Sequence, residues 1–257
     1  MPQHLLCIDI GNTNIVLGLY AGEQLVTHWR VATDHARMPD EYAVQILALF
    51  AHGGYSASDI GDIAVSSVVP TVTGVFEELC HDYFGHEPLV VGAGIKTGVR
   101  IRYDSPREVG ADRVTNAVAV KSLYSIPACV VDFGTATTFD GIDAAGDYLG
   151  GAIAPGIGIS AEALFSRTAK LPRVELIAPP RAIGGNTVES MQSGLLFGYV
   201  GLVEGMVARF RAELGDSMQV IGTGGLAGVI ARDTPIFDVI DPWLTLKGLR
   251  LIYNMNR

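Results

Sequence analysis

Two aspartates in this chain end apolar runs and are followed at once by a glycine turn rich in small polar residues. Asp9 stands in "CIDIGNTNI" and Asp132 stands in "VVDFGTATT". A carboxylate at a strand end can hold a hydrated Mg²⁺ ion, and the amides of a glycine turn can bind phosphate oxygens. The alternative for either segment alone is an ordinary hairpin, in which the aspartate accepts hydrogen bonds from turn amides.

The shared pattern of the two segments favours phosphate chemistry, because two independent hairpins need not share it. Aligning them indicates an internal duplication of the chain. We expect two similar halves that face one another across a cleft, with both aspartate turns at that cleft. The alignment pairs Asp9 with Asp132, Gly11 with Gly134, Asn12 with Thr135 and Asn14 with Thr137.

A third carboxylate stands beside a cation in "VGADRVTNAVAV", where Asp112 and Arg113 begin a predicted helix. An aspartate at this position can simply stabilise the free amides of the helix N-terminus. The functional interpretation is a carboxylate base next to a cation that pairs with an anionic substrate.

Three glycine-containing segments have both structural and functional interpretations. "GTGGLA" at 222–227 lies between a predicted strand and a helix, but too few residues follow for a complete dinucleotide-binding domain. Two interpretations of this segment remain. It can be a turn that lets a nucleotide approach the backbone, or a plain strand-to-helix turn. "GGNT" at 184–187 can be an N-capping turn. Glycines recur every three or four residues from 194 to 205, which predicts a close helix contact within or between subunits.

Strands and helices that would position these residues follow from the apolar periodicity. Residues 5–32 predict three antiparallel strands, and helices and strands alternate after them. The segment "PACVVDFGTATTFDGIDAAGDYLGGAIAPG" repeats the three-strand opening. Further predicted helices begin near residues 157, 187 and 244, and the second of these reaches about residue 214.

Composition excludes several classes of protein. The net charge is −9 without a basic run, so we expect no nucleic-acid partner. The uncharged stretch at 190–203 is too short to span a bilayer, and no signal peptide is recognised, so we expect no membrane partner. Three separated cysteines indicate buried reduced thiols and a cytoplasmic protein. The six histidines show no metal-ligand spacing.

The ordered segments "DIGNTN", "GADR", "VVDFGTATTFD", "GGAIAPG", "GGNT" and "GTGG" together resemble type III pantothenate kinase. The resemblance covers nearly the whole chain. It implies an α/β fold of the actin-like ATPase superfamily, with two ribonuclease-H-like halves, each with a mixed five-stranded sheet, around a central cleft. We place the halves at residues 1–115 and 116–257, the second carrying the dimerisation helix.

The implied activity is ATP-dependent phosphorylation of pantothenate to 4'-phosphopantothenate, the first step of coenzyme A synthesis. Asp9 would organise Mg²⁺ through water. Asp132 would bind a monovalent cation, potassium or ammonium. The implied ATP-binding residues are Asp9, Ile10, Gly11, Asn12, Thr13, Asn14, Ile15, Val16 and Thr135.

The same resemblance assigns the substrate pocket. Asp112 would accept the proton of the pantothenate hydroxyl. Thr187 would reach the pocket from the neighbouring subunit, which implies a homodimer. The implied pantothenate-binding residues are Tyr103, Gly110, Ala111, Asp112, Arg113 and Thr187.

Two other functions are compatible with the same resemblance. One is a non-catalytic accessory factor in gene regulation, and the intact Asp9, Asp112 and Asp132 argue against it. The other is a superfamily kinase that acts on another hydroxylated acid or sugar, and the Gly-Ala-Asp-Arg segment argues for pantothenate instead.

Overall fold

The computed structural model describes residues 4–257. Its first sheet begins with the predicted antiparallel strands and continues with two parallel ones. The strands are β1 (His4–Ile10), β2 (Asn14–Ala21), β3 (Gln24–Ala32), β4 (Ile60–Ser67) and β5 (Leu89–Val90). They lie in the order β3-β2-β1-β4-β5, so β1, which carries Asp9, is central.

A second sheet repeats this plan strand for strand. Its strands are β6 (Ala128–Phe133), β7 (Ala136–Ile142), β8 (Tyr148–Pro155), β9 (Gln219–Thr223) and β10 (Val239–Ile240). Their order is β8-β7-β6-β9-β10, with the antiparallel and parallel pairs in the same places. The predicted duplication and the two mixed five-stranded sheets are therefore confirmed.

Helices complete both halves at the predicted positions. They are α1 (Pro39–His52), α2 (Pro70–Leu79), α3 (Ala111–Leu123), α4 (Ile157–Ser166), α5 (Thr187–Leu214), α6 (Ala227–Ile230) and α7 (Leu244–Asn256). A π-helical turn at Cys80–Phe84 prolongs α2. It ends at Gly85, whose φ of 71° is the left-handed conformation that favours glycine.

Two compact units divide the chain differently from the predicted boundary. The first comprises the described residues up to Gly98 together with Ser105–Ser122 and Thr245–Arg257. The second comprises Val99–Asp104 and Leu123–Leu244. A boundary at 115/116 would cut α3, whose hydrogen-bonded turns keep residues 111–122 together, and α7 joins the first unit although it ends the chain.

In the first unit, alternation along β1 separates the apolar core from the functional face. Leu6, Ile8 and Ile10 are fully buried in one hydrophobic cluster with side chains from α1 and α2. Because successive side chains in a strand point to opposite faces, Cys7 and Asp9 lie on the other face of the sheet. Asp9 is therefore directed away from this hydrophobic cluster.

Helices α3 and α7 pack closely together in the same unit. A Cβ atom at Gly248 of α7 would lie 2.1 Å from the carbonyl oxygen of Thr115 in α3. Thr245 donates a hydrogen bond of 2.9 Å to the side chain of Asn116. Leu246 of α7 touches Gly18 on the sheet, so α7 covers the face on which Cys7 also lies.

The second unit is organised around the long helix α5. Leu196, Val203 and Val207 are fully buried in a cluster with β6, β9 and α6. This helix is long and apolar enough to cross a membrane by length and composition, yet half of its apolar window is buried inside the structure.

The cysteines are buried, as predicted. Cys7, Cys80 and Cys129 are free thiols. Burial raises the pKa of the Cys80 thiol to about 12 and raises the pKa values of the other two thiols as well. None of the three has the thiolate character of a reactive cysteine.

The contact between α3 and α7 predicts the effect of a glycine substitution. Gly248→Ala places a methyl group against a backbone carbonyl, so we expect a loss of about 1–3 kcal/mol in the free energy of unfolding. Gly74→Ala in α2 is the matched control, because its Cβ meets nothing within 4 Å and alanine favours helix by about 1 kcal/mol. Urea denaturation measures both; equal stability of Gly248→Ala and the wild type would contradict the contact.

Candidate active site

The first aspartate turn joins β1 to β2 and is closed by its own backbone. The N–H of Gly11 donates to the carbonyl of Asn14 at 3.0 Å. Thr33 ties the turn to the end of β3, since its hydroxyl donates to the carbonyl of Gly11 at 2.6 Å. Asn12, Thr13 and Asn14 are exposed and Asp9 is half-buried. The turn is thus a fixed loop with polar, accessible residues beside a carboxylate.

The end of β4 lies directly beside this loop. Ser66 is the partner of Asp9 in the parallel β1–β4 ladder. One step further, the N–H of Val68 donates to the carbonyl of Ile10 at 3.1 Å. The residues that follow β4 are therefore held against the first loop.

The Gly-Ala-Asp-Arg segment reaches the same place through Val68. A Cβ atom at Gly110 would lie 3.3 Å from a side-chain carbon of Val68 and 2.5 Å from Oδ1 of Asp112. A side chain at this position would displace the Asp112 carboxylate. Ala111 and Asp112 open α3 and are half-buried, and Arg113 is 9% exposed. In the first unit, Val68 thus lies against both "DIGNTN" and "GADR".

Burial makes ionisation of the Asp112 carboxyl less favourable. Loss of solvent raises the pKa of its carboxyl above the ordinary value, against the opposing hydrogen bond from Arg113 and the charge of the Arg113 guanidinium. The backbone N–H of Arg113 donates to Oδ1 at 2.7 Å and orients the carboxylate. A raised pKa strengthens the affinity of a carboxylate for a proton.

The "GTGG" segment lies directly beside the second aspartate turn. A Cβ atom at Gly224 would lie 2.5 Å from Oδ1 of Asp132 and 2.7 Å from the backbone N and O of Phe133. Gly224 also has a φ of 89°, which an L side chain rarely adopts. This segment is a strand, a turn and the helix α6, as predicted. Its glycine lets the backbone pass close to the half-buried Asp132.

The strand registers correct one pair of the predicted alignment. Asp9 is opposite Val16 and Asp132 is opposite Thr138, so Asn14 corresponds to Ala136 and not to Thr137. The second turn is one residue shorter than the first. The gap therefore falls inside the turn.

The segment "GGAIAPG" packs against the second turn. The N–H of Gly156 donates to the carbonyl of Thr135 at 3.2 Å, and a Cβ atom at Gly156 would lie 2.2 Å from that oxygen. Tyr199 of α5 shares a hydrogen bond with Thr137 and donates to the carbonyl of Pro155 at 3.0 Å. Thr135 itself is exposed.

Tyr103 and Thr187, the other predicted substrate residues, lie in the second unit. The ring of Tyr103 packs over Gly150 of β8, and a Cβ atom there would lie 3.3 Å from the ring. Thr187 begins α5 after Asn186, whose side chain accepts from the N–H of Glu189 at 3.0 Å. The capping interpretation of "GGNT" is therefore confirmed for Asn186, and Thr187 is exposed.

An open groove of about 540 Å³ adjoins Thr187. Its other lining residues, mostly apolar, are Leu164, Leu171, Ser190, Met191, Gly194 and Leu195. Cβ atoms at Gly194, Gly198 and Gly201 would meet nothing within 4 Å. The predicted close contact of this glycine face is therefore not made within the described part of the chain.

Several neighbours of the loops were not predicted. Ser66, Val68 and Thr33 surround the first turn, and Gly156 and Thr223 lie beside the second. Hydroxyl residues at the end of a buried strand, as in "AVSSVV", are the sequence signal that could have indicated Ser66. The ladder register that places it beside Asp9 is a tertiary property.

Comparison with known proteins decides the family. The family model for type III pantothenate kinase matches residues 5–209. A type III pantothenate kinase of Moorella thermoacetica is 55% identical over 252 residues, covering 98% of this chain and 99% of that protein. The chain belongs to the type III pantothenate kinase family. A member from Geobacter sulfurreducens is 56% identical over 253 residues, with the same coverage. This family member is therefore an enzyme, and it is a kinase.

Solved structures support the fold at lower identity. A conserved Campylobacter jejuni protein assigned to the Baf family of transcriptional activators has a TM-score of 0.61, 20% identity and 98% coverage of both chains. The inorganic polyphosphate/ATP-glucomannokinase of Arthrobacter sp. strain KM has a TM-score of 0.51 and 13% identity, covering 99% of this chain and all of that one. At such identities the likeness shows the fold alone, and it agrees with two ribonuclease-H-like halves.

The raised pKa of Asp112 predicts a stability change of definite sign. A carboxyl whose pKa is higher in the folded than in the unfolded protein lowers the free energy of unfolding when it ionises. The full loss is present at pH values above the folded pKa, and no loss is present below the unfolded pKa. We therefore expect Asp112→Asn to be as stable as the wild type or more stable at pH 7.5. The difference should shrink as the pH falls through the folded pKa towards about 3.9, the ordinary value.

Asp143→Asn is the matched control of opposite sign. Although burial opposes the shift, hydrogen bonds of 2.9 Å from the N–H groups of Ala145 and Asp147 lower the pKa of Asp143. Its carboxylate stabilises the fold above the unfolded pKa, so this variant should be less stable at pH 7.5. Urea denaturation at pH 7.5 and at about pH 3.9 measures the free energy of unfolding of both variants. A lower stability of Asp112→Asn than of the wild type at pH 7.5 would contradict the burial of this carboxylate.

Proposed function

We propose that this chain transfers the γ-phosphoryl group of ATP to the hydroxyl of pantothenate and forms 4'-phosphopantothenate, the first step of coenzyme A synthesis. The observation that carries the proposal is the position of Val68, which lies against Gly110 of "GADR" and donates its N–H to the carbonyl of Ile10 in "DIGNTN". Family membership over nearly the whole chain supports the choice of substrate.

The first loop has the features needed to bind the phosphates. We assign ATP contacts to Gly11 and to the exposed residues Asn12–Asn14, with the flanking Ile10, Ile15 and Val16 holding the loop in its sheet. Asp9 would hold Mg²⁺ through water. The half-buried Asp9 carboxylate beside this exposed turn fits the ion, because Mg²⁺ in kinases is held by one or two carboxylates and the phosphates. When bound, Mg²⁺ neutralises charge on the phosphate oxygens.

We assign the second loop to a monovalent cation and a further ATP contact. Asp132 is half-buried at the end of β6, and the glycine at 224 leaves space beside its Oδ1 atom. Potassium or ammonium would bind there. Thr135 is exposed in the turn and would contact ATP.

Asp112 would act as the general base of the transfer. The pantothenate oxygen forms a bond to the γ-phosphorus, the bond from that phosphorus to the ADP oxygen breaks, and the hydroxyl proton passes to the Asp112 carboxylate. Arg113 would pair with the substrate carboxylate, and Gly110 and Ala111 would line the pocket. Tyr103 and Thr187 are the further substrate contacts in this proposal.

A homodimer completes the proposal. Helix α5 has open glycines at 194, 198 and 201, and the apolar groove beside Thr187 is accessible. A second copy of this chain would cover that surface and bring its own Thr187 to the substrate. The buried, free cysteines support a cytoplasmic location, and the net charge of −9 supports the absence of a nucleic-acid partner.

Steady-state kinetics with ATP and pantothenate test the base assignment. Asp112→Asn should lower kcat by about 10²- to 10⁴-fold while ATP affinity changes little, because a positioned base acts only in the transition state. Arg113→Ala should mainly raise the KM for pantothenate. A coupled ATP-consumption assay, run with and without potassium, measures both variants.

Asp143→Asn is the control for this experiment, since it makes the same chemical change in a turn outside the proposed site. It should keep wild-type kcat under conditions where it is folded. Near wild-type turnover by Asp112→Asn would contradict the base assignment. Tight ATP binding by the wild type without any turnover of pantothenate would favour the accessory-factor alternative instead.

The oligomeric state tests the glycine face. Gly198→Glu should convert a dimer of twice the 27.2-kDa chain mass into monomers and lower pantothenate phosphorylation, because the partner's Thr187 is lost. Gly74→Glu, also at an exposed helical glycine with open space, should remain dimeric. Light scattering after size exclusion gives the masses; an active monomeric wild type would contradict the proposal.

A further inference from the structure

Ser66 is a fully buried hydroxyl whose environment does not satisfy it. Its exposed fraction is 0%. Its Oγ atom has no hydrogen-bond partner among the described residues. Buried polar atoms without partners are few in native proteins, and each one calls for an explanation.

The β1–β4 ladder places this hydroxyl next to Asp9. Ser66 and Asp9 are partners in parallel neighbouring strands, so their side chains project from the same face of the sheet. Neighbouring strands lie about 4.8 Å apart, so a rotamer change brings a serine hydroxyl within hydrogen-bonding reach of the adjacent carboxylate. The partner of Asp9 on its other side, Val16, is apolar.

The second sheet repeats the arrangement. Thr223 is the parallel-ladder partner of Asp132 and is 1% exposed. The surrounding sequences, "AVSSVV" and "IGTGGL", otherwise differ. A buried hydroxyl residue therefore stands beside the loop aspartate at the same register in both copies.

We propose that Ser66 is a positioning residue for the first phosphate loop: its hydroxyl donates a hydrogen bond to the Asp9 carboxylate in the nucleotide-bound enzyme. The bond fixes the carboxylate orientation that the metal site requires. Ser66 acts through Asp9, because a side chain with no exposed surface does not itself contact ATP. The inference rests on the proposed function, in which Asp9 holds Mg²⁺.

Ser67 provides a matched control on the same strand. It follows Ser66 and is paired with Ile10, so it projects from the opposite face of the sheet. Its Oγ atom accepts from the N–H of Val69 at 3.1 Å and from the hydroxyl of Thr73 at 2.7 Å. Ser67 therefore has the partners of a structural serine, and Ser66 does not.

The test measures Mn²⁺ binding and stability for both variants. Mn²⁺ replaces Mg²⁺, and electron paramagnetic resonance gives its Kd on the enzyme saturated with a non-hydrolysable ATP analogue. Ser66→Ala should raise this Kd about tenfold, the effect of losing an outer-shell partner of a metal ligand. Its apo-protein Tm should stay the same or rise, because no hydrogen bond is lost. Ser66→Thr should restore most of the Mn²⁺ affinity.

Ser67→Ala should give the opposite pair of results, a lower Tm and an unchanged Kd for Mn²⁺. An unchanged Mn²⁺ affinity in Ser66→Ala, or a fall in its Tm like that of Ser67→Ala, would overturn the inference. Pantothenate phosphorylation by the wild type is measured separately. Its absence would refute the proposed function, whereas the Mn²⁺ affinities would still decide the role of Ser66.

Discussion

The structure depends on one recurring constraint, which is a carboxylate at the end of the central strand of a sheet, beside a tight turn. In both units this aspartate projects from the face opposite the main apolar cluster. Space around the carboxyl groups is made by omitting side chains. Gly110 leaves room for Asp112, and Gly224 leaves room for Asp132. These two motif glycines are therefore explained by the close approach of carboxylates, and Gly224 also by its φ of 89°.

The same packing separates the requirements of stability from those of chemistry. Apolar alternation on β1 and the contact of α7 with α3 stabilise the first unit. By contrast, the burial that raises the pKa of Asp112 is unfavourable for an ionised carboxylate. In the proposed function this carboxyl accepts a proton, and the burial that opposes its ionisation is consistent with that role.

Much of this organisation could be predicted from the sequence, because it depends on local patterns. Apolar periodicity located the strands and gave α5 its observed limits at Thr187 and Leu214. The two aspartate turns revealed the duplication. Non-local features could not be predicted. The one-residue difference between the turns depends on ladder register, and α7 joins the first unit through contacts with α3 that are distant in sequence. Ser66 and Gly156 become informative only when their neighbours in space are known.

In the proposed function, the two copies of the loop share one architecture and bind two different cations. Activation curves for Mg²⁺ and for K⁺, measured on Asp9→Asn and Asp132→Asn with pantothenate and ATP, test this division most directly. Asp9→Asn should shift the Mg²⁺ curve to higher concentration and leave the K⁺ midpoint in place, and Asp132→Asn should do the reverse. The division would be contradicted if both variants shifted the same activation curve, or if neither variant shifted either curve.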